Sequence, residues 1–479
     1  MHDPRQHLHR GFNWLGGATI AVKLIDLSTL LAVLWFMSKP QVGIASLVIA
    51  VGTIIEALDG LGTREALIQA RRVSRRQLDS LFWFIAATAL LLAALAWLVA
   101  PALGTLYGVA GMSGYFVAIA AKQPIVGAAL IPLAMMNRDL QYERIAVVNV
   151  AATLGAALTR IGLAIAGAGA WALVAGYLAS GVYTLVGAQI ARPFWPRLRF
   201  RAAAIAPLVR FGSRAVTSHF LDQLFNNAHY LLIGWFYGPA QLAVYRVAFT
   251  VAMEPAIAVS TLINRTALPV FARVSALGAP LAATWLWSLR RAALLIEPFV
   301  AVAILAARPI TALIHDGRGG AYAAAAVPLE WLAVAALLRV LAQLLAPLVI
   351  ATGRPVVAAR VSAVTLLLLV AGLALLGGQR PAPAGLVAVA AVWAAIYPPL
   401  LLWEARYLRR HWGIGIAALA RAFVIPSIGT AALVALVATA RWAIGAVDPR
   451  LQLAIVLVSA IATYAVLFRQ ARPRALPAA

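Results

Sequence analysis

The stretch RRVSRRQLDSLFWFIAATALLLAALAWLVAPALGTL, from Arg71 to Leu106, decides the fold, because a cluster of arginines is followed by a long uncharged apolar run. An α-helix needs about 20 mostly apolar residues to cross about 30 Å of hydrocarbon. The run from Leu81 to Leu106 is long enough, and basic segments resist translocation, so the arginines mark the cytoplasmic side. This stretch therefore predicts a membrane-spanning helix that begins at the cytoplasmic face.

The same alternation of apolar runs and basic loops extends over the whole chain. If the N-terminus is cytoplasmic, 27 of the 39 Lys and Arg residues fall in or at the edge of cytoplasmic segments. This bias predicts an all-α polytopic membrane protein with about 14 transmembrane helices and both termini in the cytoplasm. The predicted spans are 12–37, 41–58, 81–106, 114–136, 145–167, 170–191, 211–237, 241–263, 292–314, 327–351, 358–378, 384–404, 418–440 and 451–469.

Composition excludes several other classes of protein. A hydrophobic content of 63% with 11% charged residues is far from that of a soluble domain. The net charge of +24 lies in short loops between spans, which argues against a nucleic-acid partner. The chain has no cysteine and no P-loop, HExxH or GxSxG motif, so we expect no enzyme activity, no cofactor and no metal site.

An internal repeat divides the chain. TREALIQARRVS (Thr63–Ser74) matches NRTALPVFARVS (Asn264–Ser275) at six of twelve positions. Both segments follow the second span of a six-span unit, as expected for a transporter built from parallel repeats. We therefore predict two pseudo-symmetric six-helix bundles, one in 1–210 with a cytoplasmic linker and one in 211–417. An appended pair of helices with a cytoplasmic tail would occupy 418–479.

Charged and amide side chains inside the spans are candidates for a binding site, because a charge at mid-bilayer costs about 3 kcal/mol or more and usually faces a cavity or a partner. The mid-span charges are mainly basic, which suits an anionic ligand such as a diphosphate. Interhelical pairing is the alternative, and Lys23 and Asp26 could pair on one helix face. The candidate ligand-binding residues are Lys23, Lys122, Arg160, Arg214, Asn226, Asn227, Arg339 and Gln343.

Six ordered segments resemble one known family. They are LGTREALIQARRVSRRQLDSLFWF (Leu61–Phe84), AWALVAGYLAS (Ala170–Ser180), PRLRF (Pro196–Phe200), RFGSRAV (Arg210–Val216), YLLIGWFYGPAQLAVYRVAF (Tyr230–Phe249) and ATGRP (Ala351–Pro355). Together they resemble the polysaccharide transporter, or oligosaccharide flippase, branch of the multidrug/oligosaccharidyl-lipid/polysaccharide flippase superfamily, near the O-antigen and colanic-acid exporters. One departure is His229, where that family often has Asp.

The resemblance implies a flippase that moves undecaprenyl-diphosphate-linked oligosaccharide, an exopolysaccharide or O-antigen repeat unit, across the bacterial inner membrane by alternating access. Its implied partners are that lipid-linked oligosaccharide, membrane lipids and other polysaccharide assembly proteins. Asp26, Asp222 and Glu254 are the candidates for ion coupling. Two alternatives stay open: an ion-coupled drug or cation antiporter of the same superfamily, and a membrane polysaccharide polymerase or ligase. The first needs an acidic cavity, and the second usually needs a large outer loop.

Overall fold

The chain is almost entirely helical in a computed structural model that describes residues 4–70, 72–278, 280–376, 379–444 and 448–470. Within these ranges the only strand-like pairing is an isolated bridge between His315 and Ala321, so the all-α prediction is confirmed. The helices are α1 (Pro4–Leu34), α2 (Lys39–Glu56), α3 (Thr63–Gln69), α4 (Arg75–Leu106), α5 (Met112–Arg138), α6 (Tyr142–Ile165), α7 (Ala170–Ala191), α8 (Ala202–Ala276), α9 (Leu281–Leu305), α10 (Ala307–Leu313), α11 (Ala326–Ala342), α12 (Leu345–Ala351), α13 (Pro355–Leu376), α14 (Ala384–Ala395), α15 (Tyr397–Trp412), α16 (Ile416–Ile444) and α17 (Pro449–Gln470).

Eleven helical stretches of the described chain are long and apolar enough to cross a membrane, or twelve if the bent pair α9 and α10 counts as one span. Eleven of the fourteen predicted spans nevertheless fall on one helix each, and the spans 292–314, 327–351 and 384–404 each cover two consecutive helices. Predicted spans 7 and 8 share the single stretch His219–Thr261, which is broken at Gly238 with a φ of 76°. The last span corresponds to the shorter apolar helix Pro449–Ala465. The polytopic membrane fold is thus confirmed.

Helix α2 ends at Glu56, close to the predicted end of span 2 at residue 58. The apolar stretch runs from Lys39 to Gln69, through a tight 3₁₀ turn at Asp59–Gly62 that connects α2 to α3. Gly60 and Gly62 have φ values of 60° and 71° there, a conformation that glycine adopts at low cost. Glu56 ends α2 and Asp59 begins the turn, so the two acidic residues lie where α2 passes into α3.

The chain forms two compact units. The first comprises Met1–Ala243 with Asp316–Arg318, and the second comprises Val244–His315 with Gly319–Ala479. Helix α8 therefore contributes its first part to one unit and its last part to the other. The prediction of two repeated bundles with a boundary at residue 210 stays a prediction. The prediction of a separate helix pair after residue 417 also stays one.

In the first unit, the first turns of α4 anchor the linker between α7 and α8. Ser74 and Gln77 form a reciprocal capping box at the start of α4. The buried Asp79 and Ser80 side chains then accept the backbone N–H groups of Arg197 (3.2 Å) and Arg201 (3.0 Å). The Trp83 indole donates to the Arg197 carbonyl at 2.9 Å. The basic linker is therefore bound to the N-terminal end of α4 by specific hydrogen bonds.

In the second unit, the span formed by α9 and α10 is broken. The two helices meet at 61° around Ala306, a buried residue outside both helices. The Arg441 Nη2 of α16 donates to the Leu305 carbonyl at this break, at 2.8 Å. A core of Ala301, Leu433, Val437, Val456 and Tyr464 packs α9 against α16 and α17. The last two helices are therefore tightly packed parts of this unit.

Candidate functional site

A buried ionic cluster in the first unit centres on Lys122 of α5. Its Nζ lies 2.7 Å from Glu56 Oε1 at the end of α2, and its side chain is only 6% exposed. The Tyr177 hydroxyl of α7 donates to the same Glu56 oxygen at 2.5 Å. The ammonium also lies 3.3 Å from the centroid of the Tyr177 ring, in cation–π contact. Lys122, a predicted ligand-binding residue, is thus neutralised within the protein.

A second carboxylate extends this cluster. When the Gln123 amide is oriented with its nitrogen towards Asp59, it donates to Oδ1 at 2.6 Å and to Oδ2 at 3.2 Å. Gln123 is completely buried, and Asp59 is half-buried in the turn after α2. Glu56 is thus bound by the Lys122 ammonium, and the neighbouring Asp59 is bound by the Gln123 amide. Sequence reasoning missed Glu56, Asp59, Gln123 and Tyr177, although a mid-span lysine demands an acidic partner, and Glu56 and Asp59 follow an apolar run at helical spacing.

A second ion pair in the same unit is far more accessible. Arg160 Nη1 of α6 lies 3.0 Å from Asp26 Oδ1 of α1, and the two side chains are 18% and 44% exposed. Asp26 is in the middle of the apolar span Gly16–Leu34. An exposed carboxylate at that depth needs water or a polar ligand beside it, because hydrocarbon would penalise it by several kcal/mol. This face of α1 and α6 therefore lines a polar space.

Glycines of α7 make room for both basic side chains. A Cβ on Gly176 would lie 2.1 Å from Arg160 Cγ, and one on Gly181 would lie 3.2 Å from Lys122 Cε. Any side chain at position 176 must therefore displace Arg160. Lys23, another predicted residue, is half-buried on α1, three positions before Asp26. The structure thus brings Lys23, Asp26 and Arg160 to the packed pair α1 and α6, while Lys122 belongs to the neighbouring cluster.

Two predicted binding residues of α8, Asn226 and Asn227, use part of their hydrogen-bonding capacity within the helix. The Asn226 amide donates to the Asp222 carbonyl at 2.8 Å, and the Asn227 amide donates to the Gln223 carbonyl at 2.9 Å. Asp222 is exposed. The Arg214 side chain lies outside the described residues, so its predicted role stays a prediction. His229, the departure from the family pattern, is completely buried and lies 4.0 Å from Tyr230, measured between the ring centroids.

In the second unit, the predicted residue Arg339 lies on α11, Gln343 directly follows that helix, and Glu254 lies on α8. Arg339 is 3% exposed, and its guanidinium carbon lies 6.0 Å from the Trp393 ring centroid. Gln343 ends α11, with its backbone N–H bound to the Arg339 carbonyl at 3.0 Å. Glu254 is half-buried on α8. In this conformation Arg339 packs inside the unit, where a ligand does not reach it.

A further polar cluster, which sequence reasoning missed in part, joins three helices of the second unit. Glu297 of α9 is buried and accepts the Thr430 hydroxyl of α16 at 3.4 Å. Thr430 in turn lies 2.9 Å from the Tyr464 hydroxyl of α17. No group of three or more His, Cys, Asp or Glu side chains suited to a metal ion occurs among the described residues.

Comparison with known proteins identifies the relatives. A model of the family described as "Polysaccharide biosynthesis protein" matches residues 34–316. The lipopolysaccharide biosynthesis protein WzxC of Escherichia coli (strain K12) is 21% identical over 272 residues, which cover 56% of this chain and 55% of that protein. The teichuronic acid biosynthesis protein TuaB of Bacillus subtilis (strain 168) is 25% identical over 224 residues, 44% of each chain. The match thus spans about half the length of these curated relatives.

Solved structures share the fold. The lipid II flippase MurJ, in an inward closed conformation, superimposes with a TM-score of 0.74 and 12% identity, over 95% of this chain and 99% of that one. An outward-facing multidrug resistance transporter of the MATE family in the MOP superfamily gives a TM-score of 0.55 with 14% identity, over 85% and 97% of the two chains. These identities are low, so the two structures establish the architecture and leave the activity open.

Proposed function

The chain belongs to the polysaccharide biosynthesis protein family, and from that membership we propose that it is a flippase for a lipid-linked oligosaccharide. The substrate is an oligosaccharide on an undecaprenyl-diphosphate carrier, moved across the bacterial inner membrane by alternating access. The names of the relatives support this class, since one takes part in lipopolysaccharide biosynthesis and the other in teichuronic acid biosynthesis. The shared fold with a lipid II flippase supports the transport of a large amphiphile.

The observation that carries the proposal is the accessible Arg160–Asp26 pair. Guanidinium binds phosphate bidentately, and each charge-assisted hydrogen bond contributes about 1.5–3 kcal/mol. The 3.0 Å contact to Asp26 holds Arg160 in place without a ligand. An incoming diphosphate, which carries more charge than the carboxylate, then replaces Asp26 as the partner of Arg160. Lys23 lies on the same helix as Asp26 and supplies a further positive charge for the same anion.

This exchange also suggests how transport is coupled to an ion. When phosphate binds Arg160 in place of Asp26, the Asp26 carboxylate is left without its cation inside the span. An uncompensated charge there is costly, so Asp26 binds a proton or a small cation at that moment. Release of the diphosphate restores the Arg160–Asp26 pair and expels the ion. Of the three predicted coupling residues, Asp26 is the one with a direct link to a phosphate-binding arginine; Asp222 and Glu254 stay candidates.

One observation favours a second candidate function, a cation or drug antiporter. The buried cluster of Glu56, Asp59 and Lys122 has more acidic than basic groups, which is the chemistry that a cationic substrate requires. Family membership favours the flippase, and Lys122 already pairs with Glu56 in this conformation. An uptake assay with ethidium in cells separates the two functions, because the flippase leaves ethidium accumulation unchanged.

The proposal is tested by removing the gene from its host and identifying the lipid-linked sugars that accumulate. We expect undecaprenyl-diphosphate oligosaccharide to build up, and complementation with Arg160→Ala to leave it elevated. Arg192→Ala is the matched control, since Arg192 also pairs with an aspartate, Asp139, with 30% and 36% side-chain exposure, but at the end of α7. If Arg160→Ala clears the intermediate as well as Arg192→Ala does, the binding role of Arg160 is wrong.

A further inference from the structure

A cavity of about 590 Å³ lies within the second unit. Its polar lining comes from four separate helices: Arg308 of α10, Glu330 of α11, Arg441 of α16 and Gln452 of α17. The apolar lining includes Ile304, Leu305, Pro309 and Ala312. This volume falls in the range of about 300–1,000 Å³ that ligand sites occupy in proteins.

The cavity lies at the break between α9 and α10. Non-helical backbone at membrane depth is tolerated only where protein covers it or where it lines a polar cavity. Here the Leu305 carbonyl, exposed by the 61° bend, accepts from Arg441 Nη2 at 2.8 Å. That contact leaves other N–H groups of Arg441 unused. Its Nε–H is buried and has no acceptor among the described residues, as expected of a donor that serves a ligand atom.

The lining has an amphipathic character with an excess of positive charge. Arg308 and Arg441 supply two guanidinium groups, and Glu330 supplies one carboxylate, so the net formal charge is one positive. Guanidinium groups prefer phosphate among membrane anions, because they bind it bidentately. The apolar residues of α9 and α10 suit the hydrocarbon that follows a lipid headgroup. All four polar residues lie near helix ends that the charge bias predicts to face outwards.

We propose that this cavity binds the phosphate headgroup of a membrane lipid, with Arg308 and Arg441 contacting the phosphate and the α9–α10 residues contacting the first carbons of the chain. The shared chemistry is a phosphate ester on an apolar chain. Two sources carry it: bulk anionic phospholipid and an isoprenoid phosphate.

The test uses the purified, delipidated full chain and native mass spectrometry with four probes: phosphatidic acid, diacylglycerol, undecaprenyl phosphate and inorganic phosphate. We expect phosphatidic acid to bind at least about tenfold more tightly than diacylglycerol, since they differ only in the phosphate. Arg308→Ala should weaken phosphatidic acid binding about tenfold, through the loss of one charge-assisted contact. Arg380→Ala is the matched control, because Arg380 is also exposed in this unit but does not line the cavity.

Folding is controlled by comparing the melting temperatures of Arg308→Ala and Arg380→Ala, which should agree because both residues are exposed. Arg441→Ala is a weaker test, since it also removes the bond to Leu305. Tighter binding of undecaprenyl phosphate than of phosphatidic acid supports the isoprenoid source, and equal binding supports bulk phospholipid. The proposal is overturned if Arg308→Ala binds phosphatidic acid like the wild type, if diacylglycerol binds equally well, or if inorganic phosphate binds as tightly as the lipids.

Discussion

Replacement of Lys122 by Met should destabilise the first unit strongly, because it leaves Glu56 without its cation. Lys122 is 6% exposed and its Nζ lies 2.7 Å from Glu56 Oε1. Breaking a buried ion pair from one side costs about 3–5 kcal/mol, and the 24% exposure of Glu56 puts this one near the lower end, about 3 kcal/mol. Loss of the cation–π contact with Tyr177 adds to the cost.

In a unit of this size, about 1 kcal/mol shifts the midpoint of unfolding by roughly 2–4 °C, so the variant should melt about 6–12 °C below the wild type. Intrinsic tryptophan fluorescence in detergent measures this, since the chain has 14 Trp. Scans at equal heating rates are compared, because membrane proteins often unfold irreversibly.

Two matched variants make the prediction specific. The double variant Lys122→Met with Glu56→Gln should recover most of the lost stability, since no uncompensated charge remains. Arg192→Met breaks the more exposed pair with Asp139 and should cost at most about 1 kcal/mol. If Lys122→Met has the same melting temperature as Arg192→Met, or if the double variant melts no higher than Lys122→Met, then Lys122 does not stabilise the Glu56 carboxylate. Its predicted role in binding substrate would then regain support.

Other positions give independent predictions. Gly176→Ala should abolish oligosaccharide export, because the added Cβ displaces Arg160. Gly162→Ala is the control, since a Cβ there meets nothing within 4 Å, and equal export by both variants would contradict the prediction. Asp79→Ala should loosen the linker after α7 and lower the stability by about 1–3 kcal/mol, through the loss of its bond to Arg197, seen as faster proteolysis at the linker arginines. Thr430→Val should lower stability by about 1 kcal/mol or more by removing the bridge between Glu297 and Tyr464, whereas the exposed Thr439→Val should melt like the wild type. In the cysteine-free chain, a cysteine introduced at Ser74 should react with an impermeant maleimide only after the cells are opened, and labelling of intact cells would overturn the predicted orientation.

Much of the fold follows from local pattern, and much of the site does not. Apolar length and arginine placement predict the helices well, because every span must satisfy its backbone within itself. Asp26 and Arg160 stand out individually as charges inside spans, but their pairing joins residues 134 positions apart and depends on how α1 packs on α6. No periodicity encodes that contact.

The turn after α2 explains the main omission. Glu56 closes the predicted span 41–58 and Asp59 lies just beyond it, so neither stands out as a charge in the middle of a span. The left-handed glycines at 60 and 62 form the tight turn that places Asp59 beside Gln123. Hydropathy does not show the break at Ala306 either, although Pro309 lacks the N–H that would bind the Leu305 carbonyl. Local backbone conformation, which average hydropathy does not report, decides both features.

The central claim is that Arg160 binds the phosphate of a translocated lipid-linked oligosaccharide. The most direct measurement places undecaprenyl-diphosphate oligosaccharide in the inner leaflet of proteoliposomes and follows its exposure to impermeant periodate outside. We predict that the wild type and Arg192→Ala expose the sugar at similar rates, that Arg160→Lys is slower, and that Arg160→Ala matches protein-free vesicles. Sugar exposure by Arg160→Ala at the wild-type rate would contradict the account.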